Sequence, residues 1–158
     1  MRVAETIYIT GLTLAFAAVA SFACFLRIAT ESMAPTLLAG DRLLVVRKSI
    51  LAGRFPARGQ IVVFTAGTEG RRGRRSRRKL VKRVAAIGGD GIVAVDHAAK
   101  GGAFNGRPGK APPGEIFVMG DNRRDSRDSR HYGCIDNRQV TGRVLLIVWP
   151  LRRVRVVR

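Results

Sequence analysis

From Thr6 to Leu26 the chain runs 21 residues without a charge, and this stretch limits what the N-terminus can become. It carries Leu12, Leu14, Phe16, Val19, Phe22, Phe25 and Leu26. At roughly 1.5 Å rise per residue, a helix of this length matches the ~30 Å hydrocarbon layer of a bilayer. The expectation is a transmembrane anchor within residues 1–28 and a single domain over residues 29–158. A cleavable leader competes, because Arg2 is basic and Ala17-Ala18-Val19-Ala20 offers small residues. The run is longer than a usual signal core, which favours an anchor that stays. Arg27, Arg42, Arg47 and Lys48 follow the run and Arg2 alone precedes it, so the positive-inside rule taken literally keeps the domain in the cytoplasm. Long domains cross largely regardless of charge, which weakens that rule here.

The domain reads as short apolar or β-branched runs between glycine and proline turns. Strands are predicted over residues 41–48, 60–65, 80–87, 115–119 and 140–149, the last stopped by Pro150. Residues 92–95 are expected to pair with 80–87 as a hairpin across Gly88-Gly89-Asp90-Gly91. Residues 67–79 read as a polar connection, and 98–114 as loop with a turn at Asn105-Gly106. No helical period appears outside the N-terminal run, so the fold expected is an all-β domain of short antiparallel strands. Two cysteines, Cys24 and Cys134, make neither a disulfide framework nor a metal-ligand spacing, and no cofactor or metal is expected.

A formal charge of +18, from 29 Lys and Arg against 11 Asp and Glu, points to anionic partners. The densest cluster is Arg71, Arg72, Arg74, Arg75, Arg77, Arg78 and Lys79. A solvated hairpin tip is one reading and contact with anionic lipid headgroups is another, since a tethered domain sits at the membrane surface. Nucleic acid is disfavoured by the lack of interleaved aromatic residues or a recognisable module.

Three segments carry candidate chemistry. Ser32, in Thr30-Glu31-Ser32-Met33-Ala34-Pro35, sits in loop-like sequence that exposes a hydroxyl. His97 and His131 lack a sequence context that suggests an orienting carboxylate, so the better base is Lys82, flanked by Leu80, Val81, Val84 and Ile87. Burial lowers a lysine pKa, and a neighbouring cation such as Arg83 pushes the same way, which is what a neutral amine base requires. The third segment, Gly120 to Gly133, alternates acids and arginines and reads either as a solvated loop or as a set of ion pairs supporting a site.

Ser32-Met33-Ala34-Pro35-Thr36-Leu37, Gly59-Gln60-Ile61-Val62-Val63-Phe64, Lys82-Arg83-Val84 through Gly89-Asp90, and Gly120-Asp121-Asn122-Arg123 through Asp128-Ser129-Arg130 resemble, in order, the boxes of the type I signal peptidases. The resemblance implies a β fold with one membrane anchor and a Ser/Lys endopeptidase that removes signal peptides from preproteins after small residues. It implies Ser32 as nucleophile, Lys82 as general base and Ser126 as the hydroxyl that orients the amine. It further implies an oxyanion hole from the Ser32 N–H and Thr30, and ion pairs of Asp121 with Arg83 and of Asp128 with Arg130. By the same resemblance the protein sits in the cell (inner) membrane with its catalytic domain on the exported, periplasmic side. Gln60, Gly89 and Arg124 depart from the family pattern, which usually has Asp, Pro and Asp there. The reduced size leaves open a specialised processing peptidase of conjugative transfer or pilus assembly. A non-catalytic membrane module that binds anionic partners is the rival from another class.

Overall fold

The computed structural model describes residues 5–13, 22–51, 56–69, 75–92 and 109–157. Among the described residues ten strands follow one another: β1 (Ala23–Arg27), β2 (Arg42–Arg47), β3 (Ile61–Glu69), β4 (Arg75–Ile87), β5 (Gly91–Ile92), β6 (Gly109–Lys110), β7 (Glu115–Met119), β8 (Ile135–Asp136), β9 (Val140–Trp149) and β10 (Arg155–Val156). Eight of them make one sheet in the order β1-β2-β9-β3-β4-β7-β8, with β10 added to β9, while β5 and β6 pair separately. Every pairing is antiparallel. The expected β-rich domain is therefore what the chain forms.

Side-chain alternation along the central strands divides the core. Ile61 and Val63 of β3 join Leu43, Val45, Val144 and Ile147 in one apolar cluster, which also takes Met33 and Leu37 from the loop after β1. Val62 and Phe64 face the other way, into a second cluster with Val84, Ile116, Val118, Ile135 and Val140. Burial on both faces explains why β3 opens as the unbroken apolar run Ile61-Val62-Val63-Phe64. Gly142 is required where β9 crosses β2: a Cβ there would lie 2.5 Å from the Val46 carbonyl oxygen.

Several expectations are corrected. Residues 5–13 are helical, but Ala23–Arg27 is strand and pairs with β2 from Ala23↔Val46 to Arg27↔Arg42. An uncharged helix to Leu26 therefore does not form at its C-terminal end; Cys24 and Leu26 pack against the first core cluster, and β2 supplies the backbone partners. The folded unit thus starts ahead of residue 29. Residues 14–21 of the expected anchor lie outside the described residues, among which no helix is long and apolar enough to cross a membrane. The polar connection at 67–79 is shorter than expected, because β3 and β4 stay paired out to Glu69↔Arg75. Main-chain hydrogen bonds extend the hairpin where no apolar side chain announces it. Arg71, Arg72 and Arg74 lie outside the described residues, as do His97, Val93–Val95 and the Asn105-Gly106 turn. The turn at Gly88–Gly91 does not return β5 onto β4; Gly91 and Ile92 pair with Lys110 and Gly109. Among the described residues a four-residue helix, Ser129–Tyr132, and four 3-10 turns lie between the strands.

Phe64 is fully buried in the second cluster. Phe64→Ala is expected to lower stability by about 3–5 kcal/mol, measured as a shift of the urea unfolding midpoint at unchanged slope.

Candidate active site

The loop between β1 and β2 is held at its neck by two main-chain bonds, from Ile28 N–H to the Asp41 oxygen and from Gly40 N–H to the Ile28 oxygen, both 2.9 Å. Inside it, Met33 and Leu37 are buried at 1% and 0% exposure. Ser32 is thus fixed on a loop whose next side chain is locked in the core. A second anchor comes from the loop after β7, where Asn122 donates its N–H to the Ser32 carbonyl (3.1 Å) and its side-chain amide to the Glu31 carbonyl (3.2 Å).

Lys82 reaches the same place from β4. Strand alternation puts it on the face of Val84, turned inward, and it is 4% exposed. Its Nζ donates to Ser32 Oγ at 2.5 Å. Burial lowers the lysine pKa most strongly, and Arg130 adds to the effect; Asp128, Asp125 and Asp121 pull the other way without reversing it. Arg83 is the cation expected to act on Lys82, but alternation turns it away, and it instead forks onto Asp121 with bonds of 2.8 and 2.7 Å. Arg83 also donates to the Gly59 carbonyl at 2.6 Å. Arg130, 48 positions further along the chain, supplies the like charge.

Asp128 is the hub of the third segment. It is wholly buried, and its carboxylate accepts from Arg130 Nε (2.8 Å), Arg130 Nη2 (3.1 Å), Gly120 N–H (2.9 Å) and Ser126 Oγ (2.7 Å). Burial alone would raise its pKa, but the bonds from Arg130, Gly120 and Ser126 outweigh it and hold the carboxyl below the usual range. Asp121 is likewise held low, with burial opposed by Arg83 and by the Thr36 side chain. The Ser126 hydroxyl, expected to orient the Lys82 amine, donates to Asp128 at 2.7 Å. Thr30 Oγ1 lies 3.3 Å from Ser32 Oγ, so the two hydroxyls sit side by side. His131 acts locally, its Nδ1 accepting from Asp128 N–H at 3.4 Å to close a capping box on the Ser129–Tyr132 helix.

Other contributors escape the sequence reading. Gly120 has no room for a side chain, since a Cβ would sit 2.2 Å from Ser126 Oγ and 2.5 Å from the Ser32 carbonyl oxygen. Asp41, 2% exposed, takes a fork from Arg153 with both bonds at 3.0 Å, and Arg155 donates to the Thr36 carbonyl at 2.8 Å, so the C-terminal segment braces the loop that carries Ser32. The Asn122 bonds are foreshadowed by the Gly120-Asp121-Asn122 turn; the Asp41–Arg153 pair, 112 residues apart, has no local signal. Gln60 caps its turn through a bond from Ala57 N–H to Oε1 (3.1 Å). The geometry gives no account of what Arg124 does in place of an acid.

Ser32 and Lys82 open onto a cleft of about 470 Å³ lined by Leu26 to Met33, Lys79 to Lys82, Asp125 and Arg127. Among the described residues no cluster of three or more His, Cys, Asp or Glu is placed to hold a metal.

An antiparallel sheet that brings a buried amine against a hydroxyl beside an open cleft has the parts of a hydrolytic site. The family description "Signal peptidase, peptidase S26" matches residues 1–101 and 98–149. The chain belongs to this family of peptidases. It is 33% identical over 140 residues to a probable signal peptidase I-2 of Synechocystis, covering 80% of this chain and 63% of that protein. It is 32% identical to the mitochondrial ATP-independent inner membrane protease subunit 1b of Arabidopsis thaliana, covering 85% of this chain and 81% of the relative. Against signal peptidase I of Bacillus caldolyticus the identity is 33%, over 78% of each chain. A signal peptidase I of known structure from Enterococcus faecalis aligns with a TM-score of 0.40 and 21% identity, over 57% of this chain and 97% of that one.

Removing the Asp128 carboxylate leaves Arg130, Ser126 and the Gly120 N–H without their shared acceptor, so Asp128→Ala is expected to destabilise the fold by about 3–5 kcal/mol. Because the folded carboxyls of Asp121 and Asp128 titrate below the usual value, their stabilisation is complete above roughly pH 5 and is lost as pH falls through the unfolded value near 3.9 toward the folded ones. Urea midpoints measured from pH 7 down to pH 2 should fall steeply in the wild type and more gently in Asp128→Asn.

Proposed function

We propose that the protein is a membrane-bound serine endopeptidase that cleaves N-terminal signal peptides from exported preproteins after small residues, with Ser32 as nucleophile and Lys82 as general base. The observation that carries this reading is the 2.5 Å contact between Lys82 Nζ and Ser32 Oγ, with the amine buried and its pKa lowered. A neutral amine has a lone pair free to take the Ser32 proton as Oγ attacks the substrate carbonyl. The Ser32 N–H and the Thr30 hydroxyl are the donors for the developing oxyanion, a kind of interaction worth roughly 2.7–4 kcal/mol. The protonated Lys82 then gives its proton to the departing amine, and water, deprotonated by the same amine, releases the acyl group from Ser32. Ser126, Asp128 with Arg130, and Asp121 with Arg83 position these groups rather than react.

The membrane attachment is part of the same proposal. With β1 starting at Ala23, the uncharged residues 6–22 are those left to span, close to the lower limit of about 17 for a transmembrane helix. The catalytic domain then lies on the exported side, in the periplasm. The cationic run from Arg71 to Lys79 meets anionic headgroups, with roughly 1 kcal/mol for each basic group near the surface.

The deciding experiment is cleavage of a preprotein by the purified full chain in detergent, beside Ser32→Ala and Lys82→Ala. Both variants are expected to lose at least about a thousandfold in kcat/KM, as removal of a nucleophile or its base does in other serine hydrolases. Equal activity in all three would overturn the Ser/Lys mechanism. Since only the neutral amine works, kcat/KM is expected to rise with pH and level off at a lysine pKa below the ordinary 10.5. A rate unchanged down to acidic pH would remove Lys82 from the role of base.

A further inference from the structure

A second cavity, of about 730 Å³, adjoins the cleft and shares Leu80 and Arg127 with it. Its lining is mixed in a particular way. Leu80, Ile135 and the ring of Tyr132 give apolar surface, while Arg78 and Arg127 give two guanidinium groups. Arg78 and Leu80 project from the same face of β4 as Lys82, so the cavity continues the face that ends at the proposed base.

The charge in this cavity is unbalanced. No acid lines it; Asp125 lines the first cleft and not the second. Arg78 and Arg127 are exposed, and neither forms an ion pair among the described residues, whereas Arg83, Arg130 and Arg153 each hold an aspartate. The Cys134 thiol stays neutral at physiological pH, since burial pushes its pKa up to about 11, with Glu115 adding to the rise. Two cations without an ion pair, on a cavity that also has apolar lining, suit a carboxylate carried on a short methylene stem.

We infer that this cavity is a substrate subsite for an acidic side chain, an aspartate or glutamate a few residues from the cleaved bond, paired with Arg78 and Arg127. The inference rests on the peptidase reading above, because the carboxylate arrives on the same extended peptide that fills the cleft at about 3.3 Å per residue. Exposed pairs of this kind contribute about 0.2–1 kcal/mol each, so selection is modest and sensitive to salt.

The test uses the full chain in detergent and a set of peptides sharing one cleavage sequence. A single Asp, or Asn as its neutral counterpart, is placed at each of the four positions on either side of the cleaved bond. The expected result is an Asp/Asn ratio of kcat/KM of about three to ten at one position or two neighbouring ones, and near one elsewhere, falling toward one as salt is raised. In Arg78→Gln/Arg127→Gln and in Arg127→Glu the ratio at that position should drop to one, and in Arg78→Lys/Arg127→Lys it should persist in part. A ratio that is equal at all positions reflects the general positive charge of the protein and overturns the subsite. A ratio of one everywhere, or one that survives the double Gln variant, overturns it as well. Failure to cleave any peptide removes the peptidase reading and the subsite together, whereas cleavage without preference removes the subsite alone.

Discussion

A buried carboxylate that has exchanged water for protein donors organises the end of this molecule where Ser32 and Lys82 meet. Asp128 has no exposure, so its charge is tolerable only because Arg130 pairs with it and the Gly120 N–H and Ser126 hydroxyl complete its shell. Those partners are not local decoration. Gly120 follows directly on β7 and abuts the Ser32 carbonyl; Asn122, two residues on, pins that carbonyl by its N–H. Through this chain of contacts a charge far along the sequence from β1 fixes where the Ser32 loop lies. The same group also bears on Lys82, where its attraction for a proton is weaker than the desolvation that expels one.

The apolar core and the polar network meet at Ser32. Met33 and Leu37 are drawn into the cluster beneath the sheet, and Asp41 with Arg153 closes the far end of the loop. Lys82 approaches from a strand whose neighbouring inward residue, Val84, belongs to the opposite cluster. A hydroxyl and an amine 50 residues apart are thus brought together by two separate packing requirements. Neither group is on a segment free to adjust, which is the condition for a preorganised site.

Legibility from sequence follows the strength of local signals. Strands β7 and β9 coincide with their expected limits because Gly120 and Pro150 punctuate strongly apolar runs. Ser32 and Lys82 stand out because ordered boxes of residues resemble a family, and the strand around Lys82 is apolar on both sides of it. Strand β1 is hidden inside an uncharged run, where periodicity alone cannot separate a helix end from an edge strand. The outer half of the β3–β4 hairpin is hidden by its arginines, because main-chain pairing leaves no mark on composition. Adjacency in the chain directs Arg83 at Lys82, yet strand alternation sends consecutive side chains to opposite faces, and Asp121 waits on the other one. Contacts such as Asp41–Arg153 depend on the whole topology and have no signature in either segment.

The position of β9 has a consequence for the timing of synthesis. In the sheet it lies between β2 and β3, so the hairpin unit β1–β2 that leads to and from Ser32 has no strand pairing with the β3–β4 unit that carries Lys82 until β9 is inserted between them. Yet β9 leaves the ribosome after every other long strand. A nascent chain can contain the hydroxyl, the amine and the Asp128 network and still lack the sheet that aligns them. Completion of the sheet that aligns Ser32 and Lys82 is therefore tied to the arrival of residues 140–149.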